Sequence, residues 1–202
     1  MLHQRFSRVI AMSLSLLIIF LFYPSFSSCK TLNVTNLNDS GAGSLRQSVL
    51  SASPGDVIEC DVNGTIVLTS GEILISNNIQ IKGPGADLLM VSGNNNSRIF
   101  KITGQPQVEI SCISMVSGDA GTENGGGIYI DNADLVIRDC QFSDNYAKWG
   151  GGVYNEGSDF TLHNCTFISN SAEGGGAIYN GYNSEPLIVN STFISNCSSS
   201  GG

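Results

Sequence analysis

The chain has 202 residues, a formal net charge of −8 at pH 7 and only 13% charged residues. So acidic a balance argues against nucleic acid and anionic membranes as partners, since either would be repelled. Glycine and asparagine are plentiful and no break in composition follows residue 29, so one elongated domain is expected.

Residues 1–28 read as a targeting segment rather than as fold. His3, Arg5 and Arg8 make a basic start, residues 9–23 form an apolar run, and Pro24 is followed by small residues. This is the layout of a secretory signal peptide, which places the chain outside the cytoplasm. An uncleaved membrane anchor is the alternative, for which the apolar run is short. Cys29 follows Phe26-Ser-Ser28, a partial match to a bacterial lipoprotein cleavage box in which that cysteine would carry lipid.

Residues 29–61 read as an N-terminal capping segment. Leu32 and Val34 alternate as a short strand, and residues 38–43 are turn material. Behind an N-cap at Ser44, Leu45, Val49 and Ala52 recur at helical spacing, and Pro54-Gly55 ends the helix. Strand returns over 56–60. A helix laid over the first coil is what an open β-solenoid needs, because its terminal strands expose unpaired backbone groups. Gly43-Ser-Leu-Arg-Gln-Ser-Val49 resembles the signature of an N-terminal module found in bacterial parallel β-helix proteins and named for the sequence CSLREA. The initial Cys, the Glu and the Ala of that signature are absent here.

Residues 62–124 are expected to form irregular coils. Strands are predicted over 65–69, 72–76, 78–82, 88–92, 99–102 and 108–116, divided by Gly-, Pro- and Asn-rich turns. Cys112 lies 28 residues before Cys140, which predicts that it heads the same column, with residues 117–124 as a looped-out insertion.

From residue 125 the chain repeats itself. Tyr129, Tyr154 and Tyr179 fall 25 residues apart, as do Cys140 and Cys165, and Phe142 and Phe167, with Phe193 one residue later. A fixed period in the 20s marks stacked supersecondary units, none able to bury its apolar face alone. A leucine-rich repeat would need several leucines per unit, and an α-solenoid would need helical periodicity. Glycine triplets and short alternating β-branched and aromatic runs point instead to a β-solenoid. In parallel strands about 4.8 Å apart, like residues lie above one another. Phe142, Phe167 and Phe193 are therefore expected to stack inside, and Asn145, Asn170 and Asn196 to pass hydrogen bonds between amides and to tolerate a left-handed turn. The chain stops at Gly201-Gly202, where a fourth GGxxY is due. The unit 125–202 is thus read as truncated, with an open last coil that frays or self-associates.

Gly175-Gly176-Ala177-Ile178 spells GGAI, and the Phe and Asn positions spell FxxN three times. Paired GGAI and FxxN repeats resemble those of chlamydial polymorphic outer-membrane proteins and related bacterial right-handed β-helix surface proteins. The resemblance covers residues 125–202 and implies adhesion or surface display.

Candidate chemistry is sparse. Six cysteines in a secreted chain suggest disulfides, yet Cys112, Cys140 and Cys165 fall in an inward column, where a buried thiol acts as a small hydrophobe. One bridge between adjacent coils is the alternative. Carboxylates gather at Asp119, Glu123, Asp131, Asp134, Asp139, Asp144 and Asp159, but they do not recur between repeats, which reads as solvated turns. His163 stands alone between Arg138 and Val189 in an outward column. Tyr146 and Trp149 flank Lys148, where a sugar could stack or a turn be covered. The asparagines of several N-x-S/T strings (Asn33, Asn63, Asn95, Asn164 and Asn190 among them) are read as inert.

The sequence thus predicts an all-β, right-handed parallel β-helix with a short N-terminal helix capping the first coil. Its expected role is adhesion or surface display, secreted or at the cell surface or outer membrane, without catalysis or cofactor. Expected partners are a host-cell, matrix or polysaccharide surface, with membrane attachment only through a lipid at Cys29 or an anchor downstream. The rivals are a polysaccharide-active enzyme, pectate lyase-like or a glycoside hydrolase, and a structural stalk.

Overall fold

A computed structural model describes residues 29–182 and 184–200. The signal-peptide reading of 1–28 and the unfinished fourth repeat at 201–202 lie outside the described residues.

Alternation builds the coils. In Ile79–Lys82 the two isoleucines are buried while Gln80 and Lys82 are exposed, the two-residue period of a strand with one face inward. Every strand pairing is parallel, and pairing partners belong to successive coils. Three faces result. The longest, of seven strands, runs from Thr31–Val34 through Val57–Cys60, Ile79–Lys82, Gln107–Ser111, Asp134–Arg138 and Phe160–His163 to Leu187–Val189. A six-stranded face begins at Gly64–Val67 and ends at Thr192–Ile194. The third face has five strands, from Ile73–Ile75 to Ile178–Asn180, with a three-stranded ladder starting at Tyr146–Trp149 before it. The fold is a right-handed parallel β-helix with one short helix.

Register makes the core a set of columns. Ile58, Ile81, Ile110, Ile137 and Leu162 are mutually paired along the long face, all with no exposed surface. On the six-stranded face Ile66, Val91, Met115, Phe142, Phe167 and Phe193 form a second column. Phe193, expected inside, is 45% exposed because no coil covers it among the described residues; burial of each of the others contributes about 1.5–3 kcal/mol. Ile128, Val153 and Ile178 belong to a third column, on the five-stranded face.

The helix Leu45–Ser51 closes the N-terminal end, with Ser44 as N-cap accepting from the Gln47 amide. Leu45 and Val49 enter the core. A polar knot holds the helix down. Arg46 donates to Asp39 Oδ1 at 2.7 and 3.0 Å and to the carbonyls of Gly71 and Glu72 at 2.6 and 2.7 Å. The other Asp39 oxygen accepts from the amides and hydroxyls of Thr69 and Ser70.

Burial would raise the Asp39 carboxyl, but bonds from Ser70, Arg46 and Thr69 outweigh it and hold the pKa at about 2 instead of 3.8. Asp56 is lowered too, by bonds from the amides of Lys30 and Ser53. A depressed folded value means a contribution present in full above the unfolded value and lost as pH falls toward the folded one. Thermal melts should therefore drop between about pH 4 and pH 2, and less so in Asp39→Asn than in the parent. An identical acid profile in the variant would remove Asp39 from this role.

Three expectations need correction. The strand predicted over 108–116 is two, Gln107–Ser111 and Ser114–Val116, because Cys112 takes a left-handed φ of 58°. Cys112 therefore does not head the column of Cys140. Arg138 pairs Ser111 and Gln141 pairs Ser114, which sets Ile113 beneath Cys140 and Cys112 beneath Asp139. Second, residues 117–119 stay in the ladder, since the Tyr146 amide donates to Gly118 and Asp119 bridges Tyr146. Only 120–124 loop out. Third, the left-handed residue of each FxxN corner is the one before the asparagine: Asp144, Ser169 and Ser195, with φ of 53–55°.

All six cysteines are free thiols. Cys60, Cys140 and Cys165 are buried, and burial pushes the Cys60 thiol up to about 12 and raises the other two. Cys140 and Cys165 satisfy their S–H groups on backbone carbonyls. They are core residues, unreactive as built.

A candidate ligand-binding face

The position after each inward residue of the third column points outward, and in three successive coils it is tyrosine. Tyr129, Tyr154 and Tyr179 are in register. Their rings stack at 5.3 and 5.4 Å between centroids, 9° and 1° from parallel. Stacking occupies the ring faces within the column; Tyr129 and Tyr179 stay half-buried, and Tyr154 between them is only 9% exposed. The Tyr154 hydroxyl donates to the Glu156 carboxylate. Burial first, and then that bond and the Glu156 charge, raise the Tyr154 pKa; burial and the charges of Asp131 and Glu156 raise that of Tyr129. Both phenols stay protonated.

Below Tyr129 in the same column stands Lys101, and beside it Arg98. The Arg98 guanidinium lies 5.1 Å from the Tyr129 centroid and the Lys101 amine 5.7 Å, both at cation–π range. Only 4% of the Arg98 side chain is exposed. It pairs with Glu72 and Glu123 and donates to the carbonyls of Asn124 and Gly125, which ties down the 120–124 loop. Lys101 reaches Glu72 at 3.9 Å.

Above the loop runs Tyr146–Trp149. The Trp149 ring packs at 5.1 Å and 51° against Tyr179 and lies over Gly174, the position it pairs with one coil on. A Cβ on Gly174 would come within 2.1 Å of the indole, so only glycine allows this contact. Tyr146 points away and is exposed. The two aromatics flanking Lys148 are therefore separated, and Trp149 joins the tyrosine column instead. Between these elements opens a recess of about 380 Å³ lined by Arg98, Lys101, Glu123, Tyr129, Lys148 and Trp149. Among the described residues every other lysine and arginine has a carboxylate within 4.0 Å, and Lys148 has none.

The motif residues singled out in the sequence lie elsewhere. Phe142 and Phe167 are fully buried and stacked at 4.4 Å, and Phe167 and Phe193 at 5.0 Å. The Asn145 amide nitrogen donates to Asn170 Oδ1 at 2.8 Å, and that of Asn170 to Asn196 Oδ1 at 2.9 Å. Gly175 takes a left-handed φ of 62°, while Gly176 has no room for a Cβ against the Cys197 backbone. Ala177 and Ile178 follow on the third face. Cys29 is exposed, its thiol donating to the Gly55 carbonyl.

The carboxylates fall at three corners. Asp131 ends a strand of the third face and Asp134 opens one on the long face. At that same corner one coil on, Asp159 stands over Asp134, lines with it a recess of about 360 Å³, and accepts from the Glu185 amide. Asp139 and Asp144 occupy left-handed turns at the other two corners. Glu123 borders the Trp149 recess from the loop side, while Asp119 stays in the ladder. His163 stays outward between Arg138 and Val189. Among the described residues no group of three or more His, Cys, Asp or Glu is placed to hold a metal ion. A groove of about 590 Å³ follows the long face past Gln80, Glu109 and Asp134; Arg138, outside its lining, lies 3.4 Å from Glu109.

Arg98 and Lys101 are functional candidates that reading by repeat missed, because they precede the regular coils. Aligning Phe100-Lys-Ile-Thr103 with Ile128-Tyr-Ile-Asp131 would have placed Lys101 in the tyrosine column.

No curated protein and no solved structure matches the chain. The family model described as a right handed beta helix region matches residues 36–200, and the chain belongs to that family.

Proposed function

We propose that this is a secreted or surface-displayed, non-catalytic β-helix protein that acts in adhesion or surface display through a multivalent outward face. One observation carries the reading: the outward tyrosine column sets the same group on three consecutive coils, 5.3 and 5.4 Å apart. Repetition at rung spacing multiplies weak contacts into avidity. The basic, apolar and small-residue order of residues 1–28 supports export, and the GGAI and FxxN strings support kinship with polymorphic outer-membrane proteins. The partner is a host-cell, matrix or polysaccharide surface.

A polysaccharide-active enzyme fits the fold equally well, and the groove lined by Glu109 and Asp134 on the long face, with Arg138 paired to Glu109, is the observation in its favour. Incubation with cells, matrix and pectin-like polymers separates the two. Retention on a surface with no release of reducing or unsaturated sugar is expected. Turnover that disappears in Glu109→Gln would replace the adhesive reading by the enzymatic one.

A further inference from the structure

We propose that the recess between Trp149 and Tyr129 binds a single anionic sugar residue, carboxylated or sulfated, whose acid group pairs with Lys148. The assignment rests on the surface-binding reading above and specifies its ligand. The volume of about 380 Å³ lies within the range of small-ligand sites. Its wall combines an indole, a phenol edge and amines, the mixture that a pyranose with an apolar face and an acid substituent requires.

Charge makes the argument sharper. The chain as a whole carries −8, so a polyanion is repelled at long range. Here three cations, Arg98, Lys101 and Lys148, meet Glu72 and Glu123, and the register sets Glu173 opposite Lys148 one coil on, beyond ion-pair distance. Glu72 and Glu123 are engaged by Arg98, and Glu72 also by Lys101, which leaves the exposed Lys148 amine without a partner. Asp131 and Glu156 lie two residues further along their strands, past the tyrosines. They would repel a second acid group placed along the column. The geometry therefore selects one acidic residue within an otherwise neutral glycan, not a uniformly charged polymer. The Tyr129 hydroxyl is the donor offered to the neutral sugars that follow, the Tyr154 hydroxyl being engaged by Glu156.

Trp149 is the only tryptophan of the chain, so its emission reports on the recess directly. The full secreted chain is titrated with a trisaccharide ending in glucuronate, a sulfated counterpart and a neutral one. A saturable emission change is expected with an acidic probe and not with the neutral probe, and it should weaken as salt rises from about 0.05 to about 0.5 M. Lys148→Gln, an exposed position that leaves the core intact, should bind about three- to fivefold more weakly. Response to the carboxylated or to the sulfated probe names the source of the acid group. Equal response to the neutral probe, no response to either acid, or unchanged affinity in Lys148→Gln would overturn the assignment. Surface binding that persists in Lys148→Gln without any emission change would overturn the recess but leave the adhesive reading standing. Sugar release from the polymers would overturn the adhesive reading while the titration still judges the recess.

Discussion

Replacing Phe167 by alanine should lower the unfolding free energy by about 3–5 kcal/mol, among the largest effects available in this chain. Phe167 has no exposed surface and sits between two other rings, at 4.4 Å from Phe142 and 5.0 Å from Phe193. Neighbouring backbone is held by ladder bonds on both sides, so the void cannot close by collapse. The same substitution at Phe193, which is 45% exposed, should cost about half as much or less. Chemical denaturation of the two variants tests the contrast. Equal losses at both positions would mean that the stack is not the source of the stability.

Asn170→Ala is the second large effect. Asn170 Oδ1 accepts from the Asn145 amide at 3.1 Å and from Asn145 Nδ2 at 2.8 Å. Its own Nδ2 donates to the Phe142 carbonyl at 3.0 Å and to Asn196 Oδ1 at 2.9 Å. Alanine strips partners from buried groups of Asn145 and Phe142 and from the half-buried Asn196, the buried ones each costing about 1–3 kcal/mol when left unpaired. Their imperfect additivity brings the expected loss to about 3–5 kcal/mol. Leucine should not rescue it, because the missing quantity is hydrogen bonding rather than volume. A variant whose denaturation midpoint matches the parent would show that water replaces the asparagine ladder.

These two columns were legible in the sequence because a parallel stack copies its inward residues at one period. Phe142, Phe167 and Phe193 announce themselves by spacing, and the Ser44 cap announces the helix. What was not legible follows from the same rule. Cys112 looks like the middle of an apolar run, and only pairing with Asp139 shows that it turns the chain left-handed. The recess is assembled from residues that do not repeat. Arg98 and Lys101 come from an irregular coil and Glu123 from a loop, while Trp149 reaches Tyr179 in the next coil because Gly174 gives it room. A period finds what every coil shares, and a binding site is made of what the coils do not share.

The two corners that bound the six-stranded face have a consequence for how such a chain changes over generations. Each carries one left-handed residue, and the two are five apart in each coil that has them: Cys112 and Ser117, Asp139 and Asp144, Asn164 and Ser169, Asn190 and Ser195. Extra residues appear only at corners, in the 120–124 loop, between Asn180 and Leu187, and between Lys82 and Leu89 in an earlier coil. A single-codon insertion is therefore absorbed at a corner, whereas inside a strand it would invert the side chains that follow in that strand. Unequal recombination that gains or loses a whole coil leaves all three corners matched. Molecular length is thus inherited in steps of one rung, about 4.8 Å each, and reach can change while the core chemistry stays the same.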